Sequence, residues 1–339
     1  MALDLTTLNY SEDTFSLNED SGQPLSFFFK PDGLKMYVTD GSPDRVRTYD
    51  LSPAWDVSSA TIDGTEELDI SGSAPYPVGI FISPSGLKMI IACGSGQEIN
   101  GYTLSVAWDV SSASHDGLFE IWGEIGAPAA IYVDPSGGYV FIADGSGDTI
   151  DRYTMSTAWD VTSAGSHQDL DVDTVASGGE PNSFFFDADG STLYVCRGDG
   201  QDIVAWDLGT AWDLTTAVED DTNIFDVSSE EAGNVVCMMA TTTVLIIQGT
   251  TSEDIYKYNF VVPAVYTGTV QEESVNVART VRIYQRDTGE LIQEVTSNAT
   301  SGAFSFNLIE QGKEYYIVAL DDDAGDDYNN IIYDRVVGV

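Results

Sequence analysis

The tripeptide Ala-Trp-Asp occurs four times in this chain, with its tryptophan at Trp55, Trp108, Trp159 and Trp212. Successive tryptophans are 53, 51 and 53 residues apart, and their surroundings repeat too: LSPAWDVSSA, LSVAWDVSSA, MSTAWDVTSA and LGTAWDLTTA. Self-similarity at a period near fifty means that the fold is assembled from copies of one supersecondary unit.

The rest of the unit aligns on the same frame. Each copy opens on a proline (Pro24, Pro77, Pro128, Pro181), followed by an apolar run: LSFFF, VGIFI, AAIYV, NSFFF. A turn follows in each, KPDG, SPSG, DPSG or DADG. Proline and glycine there supply the fixed φ and the positive φ that tight turns need. A second apolar run comes next, then a third ending on Tyr49, Tyr102, Tyr153 or Trp206, and a fourth after Ala-Trp-Asp, such as EELDIS or GLFEIWG. Four short strands per fifty residues is the signature of a β-propeller blade. A solenoid, the rival repeat architecture, would need distinct capping repeats.

A fifth unit begins near Gly233 with three runs, VVCMM, TVLIIQG and DIYKYNF, but no Trp-Asp follows Pro263-Ala264. The missing part lies at the other end. Residues 2–18, ALDLTTLNYSEDTFSLN, match residues 211–227, AWDLTTAVEDDTNIFDV, with Leu3 in place of the tryptophan. The sequence therefore predicts an all-β chain whose residues 1–264 form a five-bladed propeller, closed by an N-terminal strand within 2–18. Closure of this kind leaves no free sheet edge.

From Val265 the pattern changes to short alternating strands: VYTGTV, RTVRIYQR, LIQEVTS, AFSFNL, YYIVALDD and IIYDRVV. Val281 and Ile283 share one face, and Thr288-Gly289 and Ser301-Gly302 mark hairpin turns. Residues 265–339 thus read as a second domain, a β-sandwich of the transthyretin or carboxypeptidase-regulatory type. This stretch resembles the small C-terminal β-sandwich repeated across tailed-bacteriophage virion proteins. The likeness is carried by the Asp287-Thr288-Gly289 turn, by Gly302-Ala303-Phe304, and by the Tyr-Asn ahead of the last strand. The propeller repeat is likewise similar to repeats of phage and marine bacterial proteins. The resemblance implies a structural or adhesive virion part: a tail fibre, a tail-tip adhesin or a head decoration. Its partners would be other virion proteins and a host-surface glycan or protein.

Charge bounds the partners. The chain has 55 Asp and Glu against 13 Lys and Arg, a net charge of −42. Such a surface repels nucleic acid and anionic membranes. It suits either solubility in a salty medium or recruitment of Ca2+ or Mg2+. Hydrophobic residues make up 42% of the chain, enough for a real core, so disorder is excluded. The opening MALDLTTLNY has no basic and apolar leader pattern, so the expectation is a protein made in the host cytoplasm without a signal peptide. No apolar run is long enough to span a bilayer, so membrane insertion is not expected.

Chemistry-bearing motifs are sparse. His115 and His167 follow the Ala-Trp-Asp stretch among polar neighbours and read as solvated loop histidines. No nucleophile elbow, phosphate loop or zinc-protease motif is present, so the expectation is a non-enzyme. Cys93, Cys196 and Cys237 have no metal or disulfide spacing and read as structural thiols. Asp321, Asp322, Asp323, Asp326 and Asp327 cluster beside Gly325 and are either a Ca2+ site, with Asp321, Asp323, Asp326 and Asp327 as ligands, or a solvated acidic hairpin. The four tryptophans are either sugar-stacking platforms, which would make the propeller lectin-like, or packing residues between blades. Leu3 favours packing, since leucine preserves burial but stacks poorly on a sugar. Asp56, Asp109, Asp160 and Asp213 follow the tryptophans, and Asp4 persists where the tryptophan is lost, which points to turn capping. Ser26, Gly79, Ala130, Ser183 and Val235 align on the inner strand, where strands converge on a narrow axis. A propeller hydrolase would instead need a non-repeated polar cluster there.

Overall fold

A computed structural model describes residues 3–17, 22–173, 179–198, 202–227, 235–241, 243–249, 254–260, 263–272, 274–286, 288–310, 314–320 and 331–337. The chain is nearly all-β and divides into two compact units, Met1–Phe260 and Val261–Val339.

The first unit begins with β1 (Leu8–Ser16). The first repeat then supplies β2 (Pro24–Phe29), β3 (Lys35–Gly41), β4 (Asp44–Asp50) and β5 (Thr61–Asp69). The second supplies β6 (Pro77–Ile82), β7 (Lys88–Cys93), β8 (Glu98–Leu104) and β9 (Ala113–Glu120). The third supplies β10 (Pro128–Val133), β11 (Tyr139–Asp144), β12 (Thr149–Met155) and β13 (Ala164–Asp171). The fourth supplies β14 (Pro181–Phe186), β15 (Thr192–Arg197), β16 (Asp202–Leu208) and β17 (Ala217–Asp226). Three further strands follow, β18 (Val235–Ala240), β19 (Val244–Gly249) and β20 (Asp254–Phe260).

Each repeat forms one antiparallel four-stranded sheet in sequence order. β18, β19 and β20 form another, whose outer partner is β1: Leu8 pairs with Phe260 and Ser16 with Asp254. The first strands of neighbouring sheets touch, β2 with β6, β6 with β10, β10 with β14, β14 with β18, and β18 again with β2. This is a β-propeller. Second strands such as β7 and β11 are apolar on both faces because sheets pack against them from both sides, whereas outer strands such as β5 stay largely exposed.

The Ala-Trp-Asp segments build the seams. After each comes a 3-10 turn: Val57–Ser59, Val110–Ser112, Val161–Ser163 and Leu214–Thr216, with Leu5–Thr7 the N-terminal counterpart. Each turn buries its first residue. The preceding aspartate caps it: Asp4, Asp56, Asp109, Asp160 and Asp213 each accept from the backbone N–H two residues on. Each turn packs on the outer strand of the sheet before it, β5, β9, β13 and β17 in order, and the turn at Val57 packs on β1. β1 thereby plays the outer-strand role that the sequence match assigned to residues 2–18.

The second unit contains β21 (Pro263–Thr269), β22 (Gln271–Glu272), β23 (Val275–Asn276), β24 (Thr280–Gln285), β25 (Leu291–Thr296), β26 (Ala303–Glu310), β27 (Glu314–Ala319) and β28 (Ile331–Val337). β21 pairs with β26, and a second sheet runs β25-β24-β27-β28. Phe304 and Phe306 from the first sheet share one buried cluster with Val281, Ile283, Tyr315 and Ile317 from the second.

Candidate functional site

The converging first strands of the propeller enclose a cavity of about 550 Å3. Its floor is set by a repeated irregularity. Pairing along each first strand skips one residue after the opening position, so Ser26 faces Thr39, Gly79 faces Ala92, Ala130 faces Ala143 and Ser183 faces Cys196. Small residues are required here: a Cβ on Gly79 would stand 2.9 Å from the backbone nitrogen of Ile131 in the neighbouring sheet. In the last sheet Cys237, paired with Gln248, holds this position, and Val235 pairs with Gly249 as Pro24 pairs with Asp40. The sequence alignment, which put Val235 at the floor, is therefore two residues out of register. That unit lacks the proline that marks the others, and the bulge is invisible in sequence.

Two residues further along each strand stand Phe28, Phe81, Tyr132, Phe185 and Met239, which all line the cavity. Phe28 and Phe81 lie 5.1 Å apart between ring centroids, and Phe81 and Tyr132 lie 5.0 Å apart, in tilted and edge-on contacts. Phe81, Tyr132 and Met239 remain half-buried, open to the cavity. The polar groups are few. Ser183 Oγ accepts from the Met238 N–H at 2.9 Å. Burial above all, then the negative fields of Asp134 and Asp187, push the Tyr132 hydroxyl well above its ordinary pKa.

Turns after the first strands form the rim, with Pro31, Pro84, Pro135 and Ala188 on its inner side. Their carboxylates are engaged in shaping the turns. Asp134 accepts from Ser136 N at 3.0 Å, and Asp187 accepts from Ser191 N at 2.9 Å and Thr192 N at 3.1 Å. Burial raises the pKa of Asp187. At Asp32 burial acts in the same direction, but Lys30, 2.6 Å away, and the Leu34 N–H outweigh it, and the pKa falls.

The four tryptophans sit in the seams beside this rim. Each has a left-handed backbone, with φ of 64°, 67°, 64° and 65° at Trp55, Trp108, Trp159 and Trp212. Each donates its N–H to the turn glycine of its own sheet, Gly33, Gly86, Gly137 or Gly190, at 2.9–3.0 Å. Their rings are half-buried against first-strand aromatics: Trp159 on Phe81 at 6.2 Å, Trp212 on Tyr132 at 6.1 Å and Trp55 on Phe29 at 5.5 Å. The carbonyls are held from the preceding sheet, Trp108 by the Tyr37 hydroxyl at 2.7 Å and Trp212 by Arg152. At the N-terminal segment Asn223 Nδ2 donates to the Leu3 carbonyl at 2.9 Å, and Leu3 itself lines the cavity, as does Trp55. Packing between sheets is thus the arrangement at all four tryptophans.

The histidines are not loop residues. Both are exposed, as expected of solvated residues, but His115 lies on β9 and His167 on β13, each meeting the next strand of its sheet: His115 Nε2 is 2.8 Å from Asn100 Oδ1, and His167 Nε2 is 2.5 Å from the buried Asp151 Oδ1. Outer strands rich in polar residues read as loops because only one face is covered. Cys93 and Cys196 are buried, and burial pushes the Cys93 thiol up to about 12, which removes thiolate reactivity. The side chain of Cys237 lies outside the described residues. So do Asp321, Asp323, Asp326 and Asp327, the candidate Ca2+ ligands. Among the described residues no three His, Cys, Asp or Glu side chains gather in a way that could hold a metal ion. Sequence reasoning missed the ion-pair clusters at the ends of β3 and β15, Asp40 with Arg45 and Arg47, and Arg197 with Asp202 and Glu219. These join strands within one sheet.

No family model matches the sequence, and no curated protein does. Among solved structures, similar folds include the nidogen/laminin complex, at 15% identity and a TM-score of 0.47 over 70% of this chain and 76% of that one. Others are the Cps50 (Swd1) β-propeller domain of Myceliophteria thermophila, at 12%, 0.40, 69% and 70%, and the hydrazine synthase of Kuenenia stuttgartiensis, at 13%, 0.43, 69% and 83%.

Proposed function

We propose that this chain is a structural and adhesive component of a tailed-phage virion rather than an enzyme. In this reading the ring has five blades, closed by the N-terminal strand, and offers its axial cavity as the contact site. The second unit is a transthyretin or carboxypeptidase-regulatory-like sandwich that docks to neighbouring virion proteins.

The observation that supports a binding role is the cavity lining. Equivalent positions of every first strand supply apolar side chains, and the nearby carboxylates are tied to their own turns by backbone N–H groups. A hydrolase would need an activated nucleophile or an acid–base pair at the axis. A lectin built on the tryptophans would need an open ring face at every repeat, whereas Trp159 and Trp212 stack on Phe81 and Tyr132. The virion setting rests on the resemblance of residues 265–339 to phage sandwich domains, and the charge of −42 fits a particle surface with no nucleic-acid contact.

Mass spectrometry of density-purified particles from a producing culture tests the setting. The chain is expected at a stoichiometry of several copies per particle and resistant to a salt wash. Its recovery only in the soluble lysate would overturn the virion reading.

A further inference from the structure

We propose that the axial cavity binds an organic cation with an apolar body, of the quaternary-ammonium kind. This rests on the reading of the cavity as the contact site and names what that site takes.

Three features of the cavity converge on this chemistry. First, the walls carry aromatic rings from successive sheets, Phe28, Phe81, Tyr132 and Phe185, of which Phe81 and Tyr132 are half-buried and the others buried. Aromatic π-systems attract cations, most strongly where water is excluded. Second, among the described residues no Lys or Arg side chain lines the cavity, while Asp187 does, and the fields of Asp134 and Asp187 reach the Tyr132 hydroxyl inside it. Negative potential therefore extends into an apolar space, which disfavours an anionic ligand and favours a cationic one. Third, Ser183 Oγ already accepts from Met238, and the rim carboxylates are engaged by their turns. A sugar would arrive with many hydroxyls and find few partners. A quaternary ammonium needs no hydrogen bonds.

The protein already makes this contact with its own ammonium. Lys30 Nζ, on a rim turn, lies 5.9 Å from the centroid of the Trp108 ring. The volume of about 550 Å3 falls within the range of small-ligand sites, roughly 300–1,000 Å3. The charge of −42 would raise the local concentration of any cation.

The test compares choline with its uncharged carbon isostere, 3,3-dimethylbutan-1-ol, titrated against the full-length chain by calorimetry, with tryptophan fluorescence as a second readout. Choline should bind about tenfold or more tightly than the alcohol. Its affinity should weaken at high salt, and Tyr132→Leu and Phe81→Leu should each reduce it severalfold with near-ultraviolet circular dichroism unchanged. If one variant fails to fold, the other carries the test. Equal or tighter binding of the alcohol would overturn the cation assignment and leave an apolar contact site. Choline binding unchanged in a folded variant would place the cation on the acidic surface and overturn the proposal. Binding of neither molecule would overturn this inference and leave the contact site to a partner of other chemistry. Absence of the chain from particles touches neither result.

Discussion

The indole of Trp159 lies across Gly137: a Cβ on that glycine would stand 2.3 Å from the ring, while the Trp159 N–H donates to the Gly137 carbonyl at 3.0 Å. The same pairing recurs at the other three tryptophans, so the turn glycine and the tryptophan form one device that locks a blade's inner turn to its seam.

Gly137→Ala should therefore destabilise the chain by about 3 kcal/mol, part from the left-handed backbone at φ 75° and part from the clash. Gly64→Ala, with nothing within 4 Å, should change stability by less than about 0.5 kcal/mol. A double-mutant cycle with Trp159→Leu checks the pairing by urea denaturation. A coupling of about 1 kcal/mol or more is expected, because leucine frees the space. Simple additivity would mean that ring and glycine act independently.

Asp109 caps the turn Val110–Ser112, accepting from Ser111 N at 3.0 Å and Ser111 Oγ at 2.6 Å. Asp109→Ala should lower stability by about 1 kcal/mol, and Asp109→Asn by less, since the amide oxygen still accepts. Thermal melts of the two variants separate capping from charge. Equal losses in both would point to charge.

Much of this was legible because repetition multiplies weak signals. One Asp after one Trp says little; five aspartates, with Asp4 surviving the loss of the tryptophan, identified a cap that the structure contains. The match of residues 2–18 to 211–227 likewise placed β1 on the outer edge of β20. Where repetition fails, the reading fails. Without a proline the last sheet was misaligned, and its floor residue is Cys237 rather than Val235. The histidines read as loop residues in sequence because an outer strand with one covered face carries polar residues at most positions. The cavity was only half legible: the small floor residues stood out, but nothing within the runs LSFFF, VGIFI and AAIYV singles out Phe28, Phe81 and Tyr132, which the topology brings to one cavity.

Removal of residues 2–17 should leave β20 as an open edge. The truncated chain is expected to melt many degrees lower and to aggregate, as unpaired strands do. A synthetic peptide of residues 2–18 should restore solubility. An unchanged melting temperature after truncation would mean that β1 adds nothing to the ring.

Asp40 is fully buried, its Oδ2 3.0 Å from Arg45 Nε and 3.1 Å from Arg47 Nε. Burial outweighs the guanidinium groups and pushes its pKa up to about 6. The folded state then holds this proton more tightly than the unfolded state, where the pKa is about 3.9. The stability it contributes is full below pH 4 and is lost as pH rises through 6. Between pH 5 and 7.5 the wild type should lose about 1 kcal/mol relative to Asp40→Asn, measured by urea denaturation. A gap that stays constant over this range would show that Asp40 is ionised throughout.

Cryo-electron microscopy of intact particles from a producing culture tests the central claim most directly. The account predicts density on the tail or capsid for a ring of five radial sheets together with a small β-domain. Particles without such density would contradict it.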